Sequence, residues 1–286
     1  MGKRLKQVLA ALLCVTGCTP TPRPIGPVKH WAVYYNDIRP SKDFKHLDLV
    51  VFDRRHHPDI DDLKGNTIVL AYVSIGEVYD DVPERLALEK KNALLSQHDV
   101  WRSHAVDISS PAWRKLVLGY VADAADRGFD GVMLDTVDSP LYWAETQAPK
   151  RLDAMKEAAV LLIHDIRKAH PKMKIMLNRG FSILPLVSKD INYILAESIM
   201  TNTNVSTGQF GLFPTSTYEE VAEQLQRVVA RIPQLQVLTL DYWDQEDVNG
   251  LERIYASQRA SGFVPYVTTP DLTVFTPEPG FAHEYD

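Results

Sequence analysis

Acidic residues end a series of short apolar segments in this chain. Asp53, Glu77, Asp135, Glu197 and Asp241 each close a run rich in Val, Ile, Leu and similar residues. A run of this length between turn and helix signals is typical of a buried parallel strand. Carboxylates that end several strands of one sheet meet at one face, where they can serve as nucleophile, base or proton donor. The pattern therefore predicts an enzyme with an acidic site.

Asp135 and Glu197 are the predicted catalytic residues. An acid at the end of an apolar strand is costly unless it is paired or used. The two residues end strands that lie two positions apart around a barrel, so both can face one cleft, and hydrolysis of a glycosidic bond needs such a pair. The alternative for Glu197 is a salt bridge to Arg179. The alternative for Asp138, three residues after Asp135, is a helix cap or a solvated loop position rather than a substrate contact.

Other residues near the ends of the predicted strands have the side-chain types that bind sugars. Aromatic faces pack against sugar rings, and acids and amides hydrogen-bond to hydroxyl groups. Each tyrosine taken alone is also compatible with ordinary packing. The predicted substrate-binding residues are Tyr34, Tyr35, Asp53, Tyr72, Ser74, Glu77, Asp138, Asn178, Asp241 and Tyr242.

The elements that position these residues alternate between strands and helices, which predicts βαβ units and a parallel sheet. Eight strand candidates favour a closed (β/α)8 TIM barrel, an α/β fold in a single domain, over an open doubly wound sheet. Helices are predicted over residues 110–128, 152–168, 216–231 and 247–261. The predicted strands are residues 30–36, 47–53, 67–75, 131–135, 174–178, 193–197, 236–241 and 264–268.

The first residues of the chain have the features of a signal peptide. A basic start, an apolar stretch and small residues before Cys18 predict a lipoprotein-type signal peptide over residues 1–17, with a plain secretory signal as the alternative. Cys18 is the predicted lipidation site, followed by a proline-rich linker over residues 18–28 and a barrel domain over residues 29–286. The predicted location is the cell envelope, at a bacterial outer membrane or in the periplasm, with the protein held to the membrane by the lipid on Cys18.

Other chemistries and partners fit the sequence less well. The segment Tyr72-Val73-Ser74-Ile75-Gly76 lacks the first glycine of a serine hydrolase elbow. Adjacent His56 and His57 lie on a polar segment without a zinc motif, so no metal and no cofactor are predicted. A net charge of −6 argues against nucleic acid and is compatible with a neutral or cationic partner. We expect a monomer.

Several motifs together resemble a known family. The tyrosine pair 34–35, the segment 71–77 (AYVSIGE), the segment 129–135 (FDGVMLD), Asn178-Arg179-Gly180 and Glu197 are similar to those of glycoside hydrolase family 114, which contains endo-α-1,4-polygalactosaminidases and is related to the hydrolase domains of Pel exopolysaccharide systems. The resemblance extends over essentially the whole chain after the linker.

This resemblance implies a metal-independent barrel enzyme that cleaves α-1,4 linkages between galactosamine or N-acetylgalactosamine units, with Asp135 as nucleophile and Glu197 as general acid/base. Residues 52–57 (FDRRHH) do not fit a purely acidic opening of the barrel, because they place positive charge near it. The alternative function is a catalytically silent barrel that binds polysaccharide at the cell envelope. A transglycosylase that uses the same pair is a third option.

Overall fold

The computed structural model describes residues 26–281. The predicted signal peptide, Cys18, most of the linker and residues 282–286 lie outside the described residues. In chain order the described strands are β1 Trp31–Tyr34, β2 Leu49–Phe52, β3 Ile68–Ser74, β4 Glu77–Tyr79, β5 Leu94–His98, β6 Ser103–Val106, β7 Gly131–Asp135, β8 Lys174–Asn178, β9 Tyr193–Glu197, β10 Gln236–Tyr242 and β11 Val264–Thr268.

Helices lie between most of the strands. They are α1 Glu84–Glu89, α2 Pro111–Asp126, α3 Asp138–Gln147, α4 Leu152–Ala169, α5 Leu184–Val187, α6 Thr215–Arg231 and α7 Val248–Ala260. Short 3-10 turns occupy Ser41–Phe44, Asp61–Leu63 and Pro149–Arg151. Within the described residues, none of the helices combines the length and the apolar character that crossing a membrane would require.

Eight parallel strands form a nearly closed barrel, which confirms the predicted fold. Their order is β1-β2-β3-β7-β8-β9-β10-β11, and β11 lies beside β1. The indole Nε1 of Trp31 in β1 donates to the carbonyl of Val264 in β11 at 2.9 Å, so the two edge strands are also joined by a side chain. Strands covered on both faces must be apolar along their whole length, and most residues of these eight strands are buried.

The helices follow the signals in the sequence. Ser110 and Pro111 stand at the N-cap and first position of α2, where proline loses no helical hydrogen bond. Asp247 caps α7, because its carboxylate accepts the amide of Gly250 at 3.0 Å. The helix α3, which the sequence analysis did not predict, begins at Asp138 directly after the loop that follows β7.

A second sheet lies between β3 and α2 and was also not predicted. Its three antiparallel strands have the order β4-β6-β5. The charged segment between β4 and β5 forms only the short helix α1, and the strands around it are brief. The sheet begins immediately after β3, at the C-terminal face of the barrel, and the amide of Val106 donates to the carbonyl of Gly76 at 2.8 Å. This insertion therefore adds side chains to the face where barrel enzymes carry their sites.

Candidate active site

Asp135, Asn178 and Glu197 end three consecutive strands of the barrel. They are the last residues of β7, β8 and β9, so the fold brings them to the same face. Asn178 is buried, whereas the two carboxylates are half-buried and line a shared cleft of about 450 Å³. The structure thus brings together the acids that the sequence singled out, with an amide between them.

The amide of Asn178 bridges the two carboxylates. Its Nδ2 donates to Oδ1 of Asp135 at 2.8 Å and to Oε2 of Glu197 at 2.5 Å. These two bonds, laid end to end, limit the separation of the accepting oxygens to about 5.3 Å. A carboxyl separation of about 5–5.5 Å is characteristic of glycosidases that retain configuration, whereas about 6.5–9.5 Å is needed to fit a water for inversion.

Tyrosine hydroxyls provide further donors to the pair. Tyr242 donates its hydroxyl to Oε1 of Glu197 at 2.6 Å, and Tyr72 hydrogen-bonds to Asp135. Tyr35 packs edge-on against Tyr72 with ring centroids 5.2 Å apart. Burial, reinforced by the nearby carboxylates, raises the pKa of Tyr35, Tyr72 and Tyr242 well above its ordinary value. These phenols therefore remain protonated, and those of Tyr242 and Tyr72 donate to the carboxylate pair.

The carboxyl of Asp135 is hard to ionise. Burial, followed by the neighbouring charge of Glu197, raises the pKa of Asp135 to about 6, although the hydrogen bond from Asn178 opposes the shift. Two carboxylates this close do not ionise independently, and the first proton leaves the pair more readily than the second. Below about pH 6 the pair therefore retains a proton, and a nucleophile and a proton donor together require one proton between them.

The backbone turns sharply after each of the three residues. Thr136, Arg179 and Ser198 directly follow Asp135, Asn178 and Glu197, and their φ angles are +65°, +55° and +49°. Residues with side chains rarely adopt this left-handed region, and a β-branched threonine there is an outlier. Such conformations persist where surrounding contacts enforce them, and they concentrate at functional sites.

Hydrogen bonds hold Thr136 in this conformation. Its Oγ1 accepts the amide of Gly76 at 3.0 Å and lies 2.7 Å from Oγ of Ser74. Ser74 in turn donates to the carbonyl of Glu77 at 2.7 Å. The turn after β3 is thereby fastened to the residue that follows Asp135. Ser74 acts within this network and does not line the cleft.

Replacing Gly76 by alanine is expected to lower stability and activity together. An added Cβ would lie 1.9 Å from the backbone oxygen of Thr136, so the loop after Asp135 would have to move. Overpacking of this kind costs about 1–3 kcal/mol or more, which is roughly 2–10 °C in melting temperature for a chain of this size. Thermal unfolding and turnover measured on the same samples would test this.

The matched control is Gly119→Ala in α2, where an added Cβ meets nothing within 4 Å. Alanine in a helix interior is favoured over glycine, so this variant should unfold at the wild-type temperature or slightly above it. A Gly76→Ala protein that unfolds together with the Gly119→Ala protein would contradict the role given to the close approach of Thr136.

Glu77 is a buried acid, and both of its carboxylate oxygens have polar partners. Only 6% of the residue is exposed, and its oxygens accept from Ser103 at 2.6 Å and from Ser139. His98 Nδ1 lies 3.1 Å from Oε1 of Glu77. Glu77 lines the cleft and, as the first residue of β4, joins the second sheet to the barrel domain through Ser139, which belongs to α3.

The structure places six of the predicted substrate-binding residues in the cleft and four outside it. Those that line the cleft are Tyr35, Tyr72, Glu77, Asp138, Asn178 and Tyr242. Tyr34 is buried in the core, where its hydroxyl accepts the amide of Arg39 at 3.2 Å. Asp53 accepts the amides of Arg55 and His56 within its own loop and lines a neighbouring cavity of about 290 Å³. Ser74 belongs to the network described above.

Asp241 lies outside the cleft for a clear physical reason. Only 1% of the residue is exposed, and its carboxylate accepts bonds from Thr201 and from Gln258 Nε2 at 2.6 Å. Burial raises its pKa, while the hydrogen bonds act in the opposite direction. Asp241 ties the segment after β9 and the helix α7 to β10, which is a structural role.

The structure also shows which contacts Glu197 and Asp138 make with Arg179, the alternative partner predicted for Glu197. Arg179 donates to the backbone carbonyl of Glu197 at 2.8 Å, and its Nε lies 3.5 Å from Oδ2 of Asp138. The guanidinium therefore pairs with Asp138, and the side chain of Glu197 is held by Asn178 and Tyr242. Asp138 is the first residue of α3, accepts the amide of Gly180 at 3.3 Å and faces the cleft.

Several cleft residues were not singled out by the sequence analysis, and four of them are aromatic or titratable. Tyr79, His98 and Trp101 come from the second sheet, and Asp271 comes from the segment after β11. No strand signal in the sequence was strong enough to predict that sheet. Acids outnumber cations among the residues that line the cleft, which are Glu77, Asp135, Asp138, Glu197 and Asp271 against Arg179 and the titratable His98.

A carboxylate pair at the C-terminal face of a (β/α)8 barrel is an arrangement that glycoside hydrolases use. Comparison with known protein families leads to the same class of enzyme. A sequence model of glycoside hydrolase family GH114 matches residues 18–282, and the chain belongs to this family. The resemblance seen in the motifs is confirmed, and the chain is a glycoside hydrolase by family and fold.

The chain is also similar to solved structures and to a sequence relative. The glycoside hydrolase domain of PelA from Pseudomonas aeruginosa is similar with a TM-score of 0.78 and 25% identity, covering 88% of this chain and 99% of that one. Ega3 from Aspergillus fumigatus, solved in complex with galactosamine, shares the fold with a TM-score of 0.62 and 18% identity, covering 90% of this chain and 97% of that one. An uncharacterised protein of Methanocaldococcus jannaschii is 26% identical over 225 residues, which are 73% of this chain and 63% of that protein. The match thus spans less than two thirds of that relative.

Proposed function

We propose that this chain is an endo-acting glycoside hydrolase that cleaves α-1,4 linkages between galactosamine or N-acetylgalactosamine units of an exopolysaccharide. The observation that carries the proposal is the pair Asp135 and Glu197, bridged by Asn178 in an acidic cleft. Membership of family GH114 and the likeness to the PelA domain and to Ega3, whose structure holds galactosamine, support the choice of sugar.

The first step breaks the glycosidic bond. A carboxylate oxygen of Asp135 attacks the anomeric carbon and forms a glycosyl ester, while the protonated carboxyl of Glu197 gives its proton to the leaving oxygen. Asn178 keeps the two carboxyl groups at a separation that lets both reach one sugar unit. The roles of the two acids follow the family resemblance.

The second step releases the sugar. Glu197, now a carboxylate, removes a proton from water, and the resulting hydroxide attacks the anomeric carbon and frees Asp135. Two displacements at one carbon restore its original configuration. The short separation of the carboxyl groups therefore supports hydrolysis with retention.

The charge of the cleft suits an aminosugar polymer. A deacetylated galactosamine unit carries an ammonium group, and a cleft lined by carboxylates attracts cations and raises their local concentration. Arg54, Arg55 and His56 line a neighbouring cavity instead, and Arg54 is paired with Asp123 at 2.5 Å. The positive charge noted in the sequence is thus kept outside the catalytic cleft.

The test is release of oligosaccharides from a panel of aminosugar polymers that includes partly deacetylated poly-N-acetylgalactosamine. The wild-type domain would be run beside the Glu197→Gln variant, with the anomeric configuration of the first products followed by NMR. We expect α-configured oligomers from the galactosamine polymer with the wild type alone.

Other results would redirect the proposal. Cleavage of a different polymer would keep the mechanism and replace the substrate. Transfer of the sugar to another sugar rather than to water would indicate a transglycosylase. Binding without cleavage of any polymer would favour the silent polysaccharide-binding barrel.

We also propose that the mature protein acts as a monomer held at the cell envelope by a lipid on Cys18, which lies outside the described residues. The basic and apolar leader before Cys18 supports this. The protein should move from the membrane fraction to the soluble fraction in a Cys18→Ala variant, and it should sediment as a single copy once the lipid is absent. An unchanged distribution between the fractions would contradict the anchor.

A further inference from the structure

Trp101 is the most exposed of the aromatic residues that line the cleft. Among the five tryptophans of the chain, all of which lie within the described residues, Trp101 alone is exposed, at 51%. It lines the same cleft as Asp135 and Glu197. Because Trp101 shares this cleft with the carboxylate pair, its exposed indole face is available to a ring of a bound polymer.

The backbone that carries Trp101 is held in place. It lies in the connection between β5 and β6, where Arg102 adopts a left-handed φ of +50°. The carbonyl of Arg102 accepts the amide of Asp80 at 2.9 Å, and His104 pairs with Asp80 at 2.9 Å. The tip of this hairpin is therefore fastened to the segment after β4, and the indole is presented from a supported position.

The surroundings of Trp101 suit a sugar ring that carries a positive charge. Tyr79 and His98 from the same sheet line the cleft with it, and Glu77 lies 3.1 Å from His98. An indole face attracts an ammonium group within about 6 Å and packs against the apolar face of a sugar ring. The second sheet thus adds an aromatic surface next to carboxylates, outside the strand ends that hold the reacting groups.

We propose that the β4-β6-β5 sheet forms an additional subsite in which the indole of Trp101 stacks on a hexosamine unit of the polymer, at a distance from the bond that is cleaved. This subsite rests on the proposed function. It binds a unit that does not react, so Trp101 is a specificity-determining residue. Its contribution is made only when the substrate is long enough to reach the hairpin tip.

The test compares galactosamine oligomers of defined, increasing length. For the wild type, kcat/KM should rise with length and then level off. For Trp101→Ala, the shortest oligomers that are cleaved should react as with the wild type, whereas the longest should lose about five- to twentyfold in kcat/KM, mainly through a higher KM. Trp101→Phe, which keeps an aromatic face, should recover most of the loss.

Val100→Ala is the matched control, because Val100 is exposed at 57% on the same hairpin tip and does not line the cleft. It should keep the wild-type dependence on length. A Trp101→Ala protein that shows the same dependence would overturn the subsite and leave the proposed function standing. A wild type that cleaves no oligomer of any length would remove the proposed function and the subsite with it. Thermal unfolding of each variant separates loss of binding from loss of folding.

Discussion

Replacing Asp135 by asparagine is expected to abolish hydrolysis and to raise the stability of the protein at neutral pH. An amide cannot form the glycosyl ester, so turnover should fall by more than about a thousandfold. The same change removes a carboxylate that the fold ionises reluctantly, since burial and Glu197 raise its pKa to about 6. Sites built for chemistry commonly carry such a cost in stability. Kinetics and thermal unfolding on one preparation would show both effects.

The pH dependence of the stability gain follows from the direction of the pKa shift. The ordinary pKa of the carboxyl is 3.8, and the folded value is about 6. Between these values the folded protein holds this proton more firmly than the unfolded chain, so the contribution of Asp135 to stability falls as the pH rises. At about 1.4 kcal/mol per pKa unit, the variant should gain roughly 1–3 kcal/mol near pH 7 and little below pH 4.

Asp62→Asn is the control for this experiment, because it makes the same chemical change at an exposed residue. Its unfolding temperature should stay near that of the wild type at both pH values. An Asp135→Asn protein that is less stable than the wild type at pH 7 would mean that the carboxylate is needed for folding, and Asp135 would then be reassigned as a structural residue.

The barrel was predictable because its strands are buried on both faces. Continuous apolar runs such as those of β7 and β9 have no other simple interpretation when helices separate them. The second sheet gave no comparable signal. Strands β4 and β5 are short and partly exposed, and the charged helix α1 lies between them. Pairing with β6 stabilises them, and such pairing depends on contacts that a local pattern does not contain.

Site residues were predictable where the position of a residue on its strand determines the direction of its side chain. An acid at the last residue of a barrel strand faces the C-terminal end, and this placed Asp135 and Glu197 correctly in one cleft. Asp241 was predicted to end its strand in the same way, yet β10 continues to Tyr242, and Thr201 and Gln258 bind the carboxylate of Asp241 outside the cleft. Neighbours from distant segments decide whether such an acid lines the cleft or has its oxygens hydrogen-bonded inside the protein.

Tyr34 and Tyr35, at the end of β1, show a second case in which distant neighbours decide where a side chain lies. Successive side chains of an extended segment point to opposite sides, so Tyr34 and Tyr35 cannot both face the cleft. The structure turns Tyr35 toward Tyr72 and buries Tyr34 against the core residues Phe44 and Phe52. The alternation was visible in the sequence, but the choice between the two faces is set by what packs outside the barrel.

Replacing Glu197 by glutamine is expected to stop hydrolysis of the polymer and to trap the sugar on the enzyme. Without a proton donor the natural leaving group departs slowly, and general acid/base catalysis contributes about 10²–10⁴-fold. An aryl glycoside whose phenol leaves without protonation should still react with Asp135. The second step then lacks its base, so the glycosyl ester should accumulate. Intact-mass spectrometry, followed by peptide mapping, would locate the added sugar.

The residue that carries the sugar decides between the two possible assignments. Asn178 bonds to both carboxylates, so the hydrogen bonds around the pair are similar for either role. Under our assignment the adduct lies on Asp135 in the Glu197→Gln protein, and azide, which needs no deprotonation, should release it as a glycosyl azide of retained configuration. An adduct on Glu197 in the Asp135→Asn protein would exchange the two roles. Products of inverted configuration, with no adduct on either variant, would contradict retention. Inversion requires a water between the two carboxyl groups, and the bridge through Asn178 holds them too close together for that water.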